Sequence, residues 1–237
     1  MRALVRRHSN AWPVALIRDD FADGNFTTNP AWSVATGYFR VLRGGGLHID
    51  SRYQAQNQEP QRKEDSRDAA VRLLGQLLLG GKGGQEQQPD HHGRQALQTG
   101  GPGEFYLAHK ISNGFSLSAE ISGGGGDGFE LGVYQGRDRT YGYRLLYTPK
   151  DGMLLLRLSS RGTSVVDRAT PKVNLLDGTE RTIVWQRRRN GAMTVKIDGR
   201  ALFKTKDRGF RDPFDDFHLF SRGGALTLYA LTIDGTR

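Results

Sequence analysis

The feature that most constrains this chain is the alternation of apolar and polar residues in short runs after residue 103. Apolar residues occupy every second position from Phe115 to Ile121, and the same period of two recurs in residues 129–134 and 141–147. Residues i and i+2 share one face of a strand, so each run predicts a strand with one buried face. Similar patterns predict strands over residues 153–159, 182–188, 192–197, 200–204, 214–220 and 225–233.

Turn signals separate these runs. Asn190-Gly191 and Asp198-Gly199 are typical of tight hairpins, because their backbones readily adopt positive φ. The 32 Gly among 237 residues also favour many turns, and the absence of Cys excludes disulfides and thiolate-bound zinc. The sequence therefore predicts an all-β fold, a two-sheet antiparallel jelly-roll sandwich. We expect its core to include Ile183, Trp185, Val195 and Ile197.

Residues 54–103 break the strand pattern. They are rich in Gln, Glu, Lys, Gly and Pro and contain no aromatic residue, which predicts a polar, partly disordered insertion. Within it, residues 68–79 have the apolar spacing of one short helix. Three of its leucines, Leu73, Leu77 and Leu78, would dock on the domain itself, on a protein partner or on a membrane surface.

The amino-terminal segment differs in charge. Residues 1–18 carry four Arg and no acidic residue, and we interpret them as a tail before a domain that covers residues 19–237. They form no clear signal peptide. No run in the chain approaches the ~18 apolar residues of a membrane helix.

Several segments together resemble a known family. Residues 17–26 (IRDDFADGNF), 29–32 (NPAW) and 37–41 (GYFRV) resemble the opening of concanavalin A-like lectin/glucanase domains, the laminin-G-like jelly rolls. Residues 183–185 (IVW) and 195–199 (VKIDG) are similar to the signature hairpin of that family. The resemblance covers about 19–53 and 104–237, and these motifs are more specific for fold than for function.

The resemblance implies three alternative functions. The first is a non-catalytic carbohydrate-binding module, and the others are a glycoside-active hydrolase and a structural module of a surface assembly. Such domains are often found in secreted bacterial proteins, so the resemblance implies an extracytoplasmic or secreted location. A cytoplasmic location stays open.

One predicted sheet face carries the residue types that bind sugars. Alternation places Glu130, Arg144 and Arg157 opposite the apolar residues Leu131, Leu145, Leu154 and Leu156, with Tyr134 beside them. Rings stack on the CH faces of sugars, and Arg and Glu bind hydroxyls or acidic groups. The alternative interpretation is an ordinary polar outer face.

Glycoside hydrolysis needs two carboxyl groups on either side of the scissile bond. The sequence lacks the Glu-x-Asp-x-x-Glu cluster of the hydrolases it resembles. The best candidate pair is Glu120 and Glu130, on strands that we expect to be neighbours with matching outward faces. The alternative is that both carboxylates face solvent or pair with arginines.

The chain has a formal net charge of +9, and residues 181–211 carry +8 of it. Arg187, Arg188 and Arg189 precede the Asn190-Gly191 turn, so we expect them to project from the sheet edge. Clustered guanidiniums bind carboxylates or sulfates, which indicates an acidic polysaccharide. A solvated basic ribbon is the alternative, and nucleic acid is disfavoured because only Phe203 and Phe210 interleave with the basic residues.

A calcium site is the one metal site that the sequence suggests. Asp20, Asp23 and Asn25 offer oxygen ligands, and Asp234 would join them if the first and last strands pair. The competing interpretation, which we favour, is that Asp23-Gly24-Asn25 forms an Asx turn.

Overall fold

The structure is a computed structural model that describes residues 11–50, 102–136 and 138–236. The predicted insertion at 54–103 lies almost entirely outside these residues, as do its helix at 68–79 and the docking stripe of Leu73, Leu77 and Leu78. The described residues contain no helix, and therefore none that is long and apolar enough to cross a membrane.

The described chain forms fifteen strands. The first eight are β1 (Val14–Asp19), β2 (Ser33–Thr36), β3 (Phe39–Val41), β4 (Leu47–Asp50), β5 (Gly103–Ile111), β6 (Phe115–Gly124), β7 (Phe129–Gln135) and β8 (Tyr141–Thr148). The other seven are β9 (Gly152–Ser159), β10 (Gly162–Ala169), β11 (Arg181–Arg187), β12 (Ala192–Ile197), β13 (Arg200–Lys206), β14 (Phe214–Ser221) and β15 (Ala225–Gly235).

These strands form two antiparallel sheets. Sheet 1 has the order β13-β12-β11-β6-β15-β4-β3, and β1 pairs with β15 beside this path. Sheet 2 has the order β10-β9-β8-β7-β14-β5-β2. The predicted two-sheet sandwich is therefore confirmed. Residues 14–18, which the sequence analysis assigned to the tail, pair with β15 as part of β1.

The core lies between the sheets. Every second residue of β6, from Phe115 to Ile121, is buried, as the alternation predicts. The Trp185 ring contacts Phe115 edge to face, with the ring centres 5.2 Å apart. Burial of the four residues expected in this core, Ile183, Trp185, Val195 and Ile197, is confirmed.

Two of the strand connections have close backbone geometry. The Asp198-Gly199 turn joins β12 to β13 with positive φ at both residues, as a two-residue hairpin requires. The ends of β4 and β5, which flank the gap in the described chain, touch each other. A Cβ on Gly103 would lie 1.5 Å from Cδ1 of Ile49, so any larger residue there would have to displace the buried Ile49 side chain.

Candidate functional site

A group of polar and aromatic side chains lies on the outer face of sheet 2. The strand register aligns residues of β5, β14, β7 and β8 in rows across this face. Their sequence neighbours Phe105, Leu219, Leu131 and Leu145 point the other way, into the core. The central row consists of Tyr106, His218, Gly132 and Arg144, and the adjacent row contains Glu104, Phe220 and Glu130.

Glu130 is the anchor of this group. Its side chain is only 7% exposed, its Oε1 accepts a hydrogen bond from Arg222 Nη1 at 2.8 Å, and its Oε2 forms an ion pair with Arg144 Nε at 3.0 Å. Close charged contacts of this kind hold both partners in defined positions. The two guanidiniums are thereby oriented on the face before any ligand arrives.

Tyr134 lies over the centre of the row. A Cβ on Gly132 would be 2.3 Å from Cε2 of Tyr134, so the ring occupies the space that any other residue would need. The Tyr134 hydroxyl accepts a hydrogen bond from Arg144 Nε at 3.1 Å. Burial raises the pKa of the phenol above its usual value, although the Arg144 guanidinium opposes this shift. The phenol is therefore neutral at physiological pH and is held in one position.

His218 organises the other side of the row. Its side chain is 5% exposed, and Nδ1 lies 2.8 Å from Glu104 Oε1, which also pairs with Arg139. The imidazole stacks on the Tyr106 ring, with the ring centres 5.1 Å apart. On its far side, Nε2 approaches Asp216 Oδ1 at 3.3 Å without forming a hydrogen bond, so neither of these two buried atoms has a hydrogen-bond partner among the described residues.

These side chains surround an open cavity of about 410 Å³. It presents fixed guanidinium donors, carboxylate acceptors and ring surfaces, which is the combination that recognises hydroxyl-rich ligands. We call it the outer-face site. It is lined by Glu104, Glu130, Gly132, Tyr134, Asp138, Arg139, Arg144, His218, Phe220 and Arg222.

The structure brings three of the predicted sugar-binding residues together in the outer-face site, Glu130, Tyr134 and Arg144. Arg157 lies outside this site. The register pairs Leu156 with Arg144 and Arg157 with the core residue Tyr143. Arg157 therefore lies on the opposite side of sheet 2, where its Nη1 is 2.8 Å from Asp207 Oδ2. The prediction that Leu154 and Leu156 face the core is also wrong, because Met153 and Leu155 do so.

The candidate catalytic pair is not formed. Glu120 lies on β6 in sheet 1, paired with Thr182 and Ala230, whereas Glu130 lies on β7 in sheet 2. Each points away from the core between the sheets, so the two carboxyl groups lie on opposite sides of the sandwich. The expectation that their strands are neighbours is wrong, since β6 and β7 belong to different sheets.

The three consecutive arginines have different environments. Arg187 is fully buried, and its guanidinium donates to the carbonyl oxygens of Asn113 and Phe210 at 2.7 and 3.0 Å. The prediction that it projects from the edge is therefore wrong, because it continues the inward alternation of β11. Arg188 and Arg189 are exposed, as expected for a basic rim.

The four proposed calcium ligands do not converge. Asp23 Oδ1 accepts from the backbone N–H of Asn25 at 3.0 Å, as in the Asx turn that we favoured. Asp234 pairs with Arg18 at 2.8 Å and sits opposite Ala15, toward the far end of β1 from Asp20. Within the described ranges, no group of three or more His, Asp or Glu residues is arranged to hold a metal ion.

Sequence reasoning found three of the ten residues that line the outer-face site, and the charged or titratable ones that it missed include Glu104, Arg139, His218 and Arg222. Residues 214–220 were predicted as a strand, and the polar residues Asp216 and His218 alternate there with Phe217 and Leu219. That signal marks a polar outer face. The insertion of β14 between β5 and β7, which places His218 beside Gly132, has no local signal.

No protein-family model and no curated protein matches the sequence. Among solved structures, the chain is similar to a protein of unknown function with a galectin-like fold from Bacillus subtilis. The TM-score is 0.58 and the identity 10%, over 94% of this chain and 96% of that one. A carbohydrate-binding module, CBM66, from Bacillus subtilis has a TM-score of 0.52 and 11% identity over 86% of this chain and 95% of that one.

A sialidase is also similar, with a TM-score of 0.51 and 10% identity over 94% of this chain but only 18% of the sialidase. At such identities the similarity shows the fold alone. The chain therefore has a galectin-like fold of two antiparallel sheets, which agrees with the sandwich that the sequence resemblance implied.

Proposed function

We propose that this chain is a non-catalytic carbohydrate-binding module and that sugar binds at the outer-face site. The observation that carries the proposal is Glu130, buried and fixed between Arg144 and Arg222 beside the Tyr134 ring. Oriented donors and acceptors next to rings suit the hydroxyls and CH faces of a sugar. The fold shared with a carbohydrate-binding module is consistent with this proposal.

Catalysis is the weaker alternative. Of the two carboxylates suggested for hydrolysis, only Glu130 lies at the outer-face site, and each of its oxygens forms an ion pair with an arginine. We therefore assign Glu130 an orienting role. Release of reducing ends from a bound glycan by the wild-type protein, and its loss in Glu130→Gln, would contradict the non-catalytic assignment.

A glycan array followed by calorimetric titration of the best ligand tests the proposal. Arg144→Lys keeps the positive charge but loses the planar donor that serves Glu130 and Tyr134. We expect it to weaken binding by about tenfold or more, which corresponds to about 1.4 kcal/mol. Arg189→Lys, at an exposed arginine outside the site, is the matched control. Equal loss in both variants, or no glycan binding by the wild type, would refute the proposal.

The finer proposal is that the carbohydrate carries acidic groups. Its support is a surface that we call the basic edge, where sheet 1 ends at β12 and β13. None of its cations contacts a carboxylate in the part of the chain that the structure describes, and all except Lys196 are exposed. The basic edge consists of Arg188, Lys196, Lys204, Lys206 and Arg208.

The register explains why these charges cluster. Lys204 and Lys206 are two residues apart on β13, opposite Thr194 and Ala192, so they share one face. Unpaired cations at such spacing attract a polyanion by a long-range force that salt screens over ~8 Å at physiological ionic strength. Binding of an acidic polysaccharide should therefore depend on salt, whereas binding of a neutral sugar at the outer-face site should not.

The extracytoplasmic or secreted location implied by the resemblance belongs to the same proposal. Fractionation of cells that produce the protein with a carboxy-terminal tag tests it. Recovery of the tagged protein only from the cytosol would contradict it.

A further inference from the structure

A second cavity, of about 510 Å³, shares no lining residue with the outer-face site. It is bounded by the end of β10 with the residues that follow it and by the β12–β13 hairpin. β10 and β13 are the edge strands of sheets 2 and 1, so the cavity opens between the two sheets. We call it the edge cavity.

The inner wall of the edge cavity is apolar. Ile197 is buried, and Val173 and Leu202 are partly buried and pack against the core. Ala169 and Ala201 add small apolar side chains to the lining. A volume of this size, walled by aliphatic side chains, is in the range of cavities that bind small organic ligands.

The charged groups of the lining are unbalanced. Three cations, Lys172, Arg181 and Arg200, line the edge cavity together with one carboxylate, Asp198. Arg181 is fixed by two acids, with Nη1 3.2 Å from Asp198 Oδ2 and Nη2 3.1 Å from Asp177 Oδ2. Lys172 and Arg200 contact no carboxylate among the residues that the structure describes.

We propose that the edge cavity binds a small amphiphile with one anionic head group and a short aliphatic body. The aliphatic part would cover Val173, Ile197 and Leu202, which removes apolar surface from water. The anionic head would pair with Lys172 and Arg200, the two cations that the protein itself leaves without an acidic partner. The charge surplus excludes a cationic amphiphile and disfavours a neutral one, since neither satisfies these groups.

Calorimetric titration with octanoate, octanol and octylammonium tests the proposal, because the three probes share one body and differ in head group. We expect octanoate to bind at least about tenfold more tightly than octanol and octylammonium not to bind, since hydrogen bonds to charged groups contribute that much affinity. Equal binding of the three probes, or no binding of octanoate at millimolar concentration, would overturn the proposal.

Two variants locate the site. The double change Lys172→Glu and Arg200→Glu should lower octanoate affinity about tenfold or more, whereas the same change at Lys204 and Lys206, outside the cavity, should have little effect. Leu202→Trp should fill the cavity and abolish binding while thermal unfolding stays cooperative. Unchanged octanoate affinity in the Lys172/Arg200 variant would contradict the proposal even if the tryptophan variant does not fold. The test is independent of glycan binding.

Discussion

The outer-face site and the basic edge both display arginine and lysine, but their charges are held differently. In the site, Arg144 and Arg222 contact Glu130, and Arg139 contacts Glu104. At the basic edge, no cation has a carboxylate partner in the described part of the chain. The site is therefore nearly balanced in charge and fixed in geometry, whereas the edge carries the surplus and leaves its cations without acidic partners among the described residues.

A surplus of basic residues in a sequence segment does not by itself locate a preorganised binding site. Residues 181–211 hold +8 of the net charge, yet they contribute nothing to the polar cavity on sheet 2. Pairing and burial mark a preorganised site, because fixed partners hold donors in place for a ligand. Unpaired exposed cations give attraction that is long-ranged, weakly directional and sensitive to salt.

The largest expected effect is on unfolding free energy, where substitutions of Arg187 and of its neighbour Arg188 should differ. Arg187→Met keeps the length of the side chain but removes the guanidinium that donates to the backbone and side-chain oxygens of the buried Asn113, so we expect a loss of about 3 kcal/mol or more in unfolding free energy. Arg188→Met removes only an exposed contact with the Trp12 ring and should cost less than about 1 kcal/mol.

Chemical denaturation of the two variants measures this contrast. A stability of Arg187→Met close to that of the wild type would mean that the guanidinium is not buried. The three consecutive arginines would then form one exposed rim, and the comparison above would fail.

A second prediction compares the two glutamates that the sequence suggested as a pair. Glu130→Gln should lower the unfolding free energy by about 2 kcal/mol, since two arginines lose their charged acceptor, and should also abolish glycan binding. Glu120→Gln, on the outer face of sheet 1, should change neither property. Denaturation curves measure the stability of both variants, and calorimetric titrations measure their glycan binding. A matching loss in the two would show that charge removal alone is responsible.

A third prediction concerns pH and the buried cluster around Arg187. Burial and a 2.5 Å hydrogen bond to Asp207 raise the pKa of Tyr143 to about 12, above the usual value of 10. The folded protein then holds this proton more tightly than the unfolded chain, so stability is full below pH ~10 and falls as the pH rises toward 12.

Tyr143→Phe isolates this effect from other groups that titrate in alkali. By pH 11 the wild type should have lost about 1 kcal/mol more than the phenylalanine variant. Parallel pH profiles of unfolding free energy provide the measurement. Identical slopes in the two proteins would place the Tyr143 hydroxyl in water.

The smallest effect on stability is expected at the basic edge. Lys204→Ser with Lys206→Ser should alter unfolding free energy by less than about 0.5 kcal/mol, because both side chains are exposed and unpaired. Binding to polygalacturonate should weaken several-fold at low salt and depend less on ionic strength, while binding to neutral glycans stays the same. An unaltered salt slope would identify the basic edge as a solvated face.

Local patterns predicted most of the fold. The alternation in β6 and β8, the inward face of β7 formed by Phe129, Leu131 and Val133, and the turn at Asp198-Gly199 need only neighbouring residues, and the structure confirms them. The same reasoning failed at β9, where Met153 to Leu156 are all apolar and the period of two has no polar phase. The register with β8, rather than the residues themselves, decides that Leu155 faces inward and Leu156 outward.

The candidate site was less predictable because it depends on distant strands. Glu130 and Arg144 lie on a hairpin and were found, whereas Glu104 and His218 are 114 residues apart in the sequence. Their contact depends on β14 pairing with both β5 and β7. A pattern within one strand shows that a side chain is exposed, but it does not show which strand lies beside it.

The contact between Ile49 and Gly103 has a consequence for the length of the chain between β4 and β5. β4 ends and β5 begins at neighbouring points of the sandwich, so a connection between them has little distance to span. The entropy of closing a flexible loop grows only with the logarithm of its length. For such a loop, six residues and about fifty residues would differ by only about 2 kcal/mol in closure free energy. Insertions and deletions between β4 and β5 should therefore change the folding free energy little, and the sandwich itself does not limit the length of this connection.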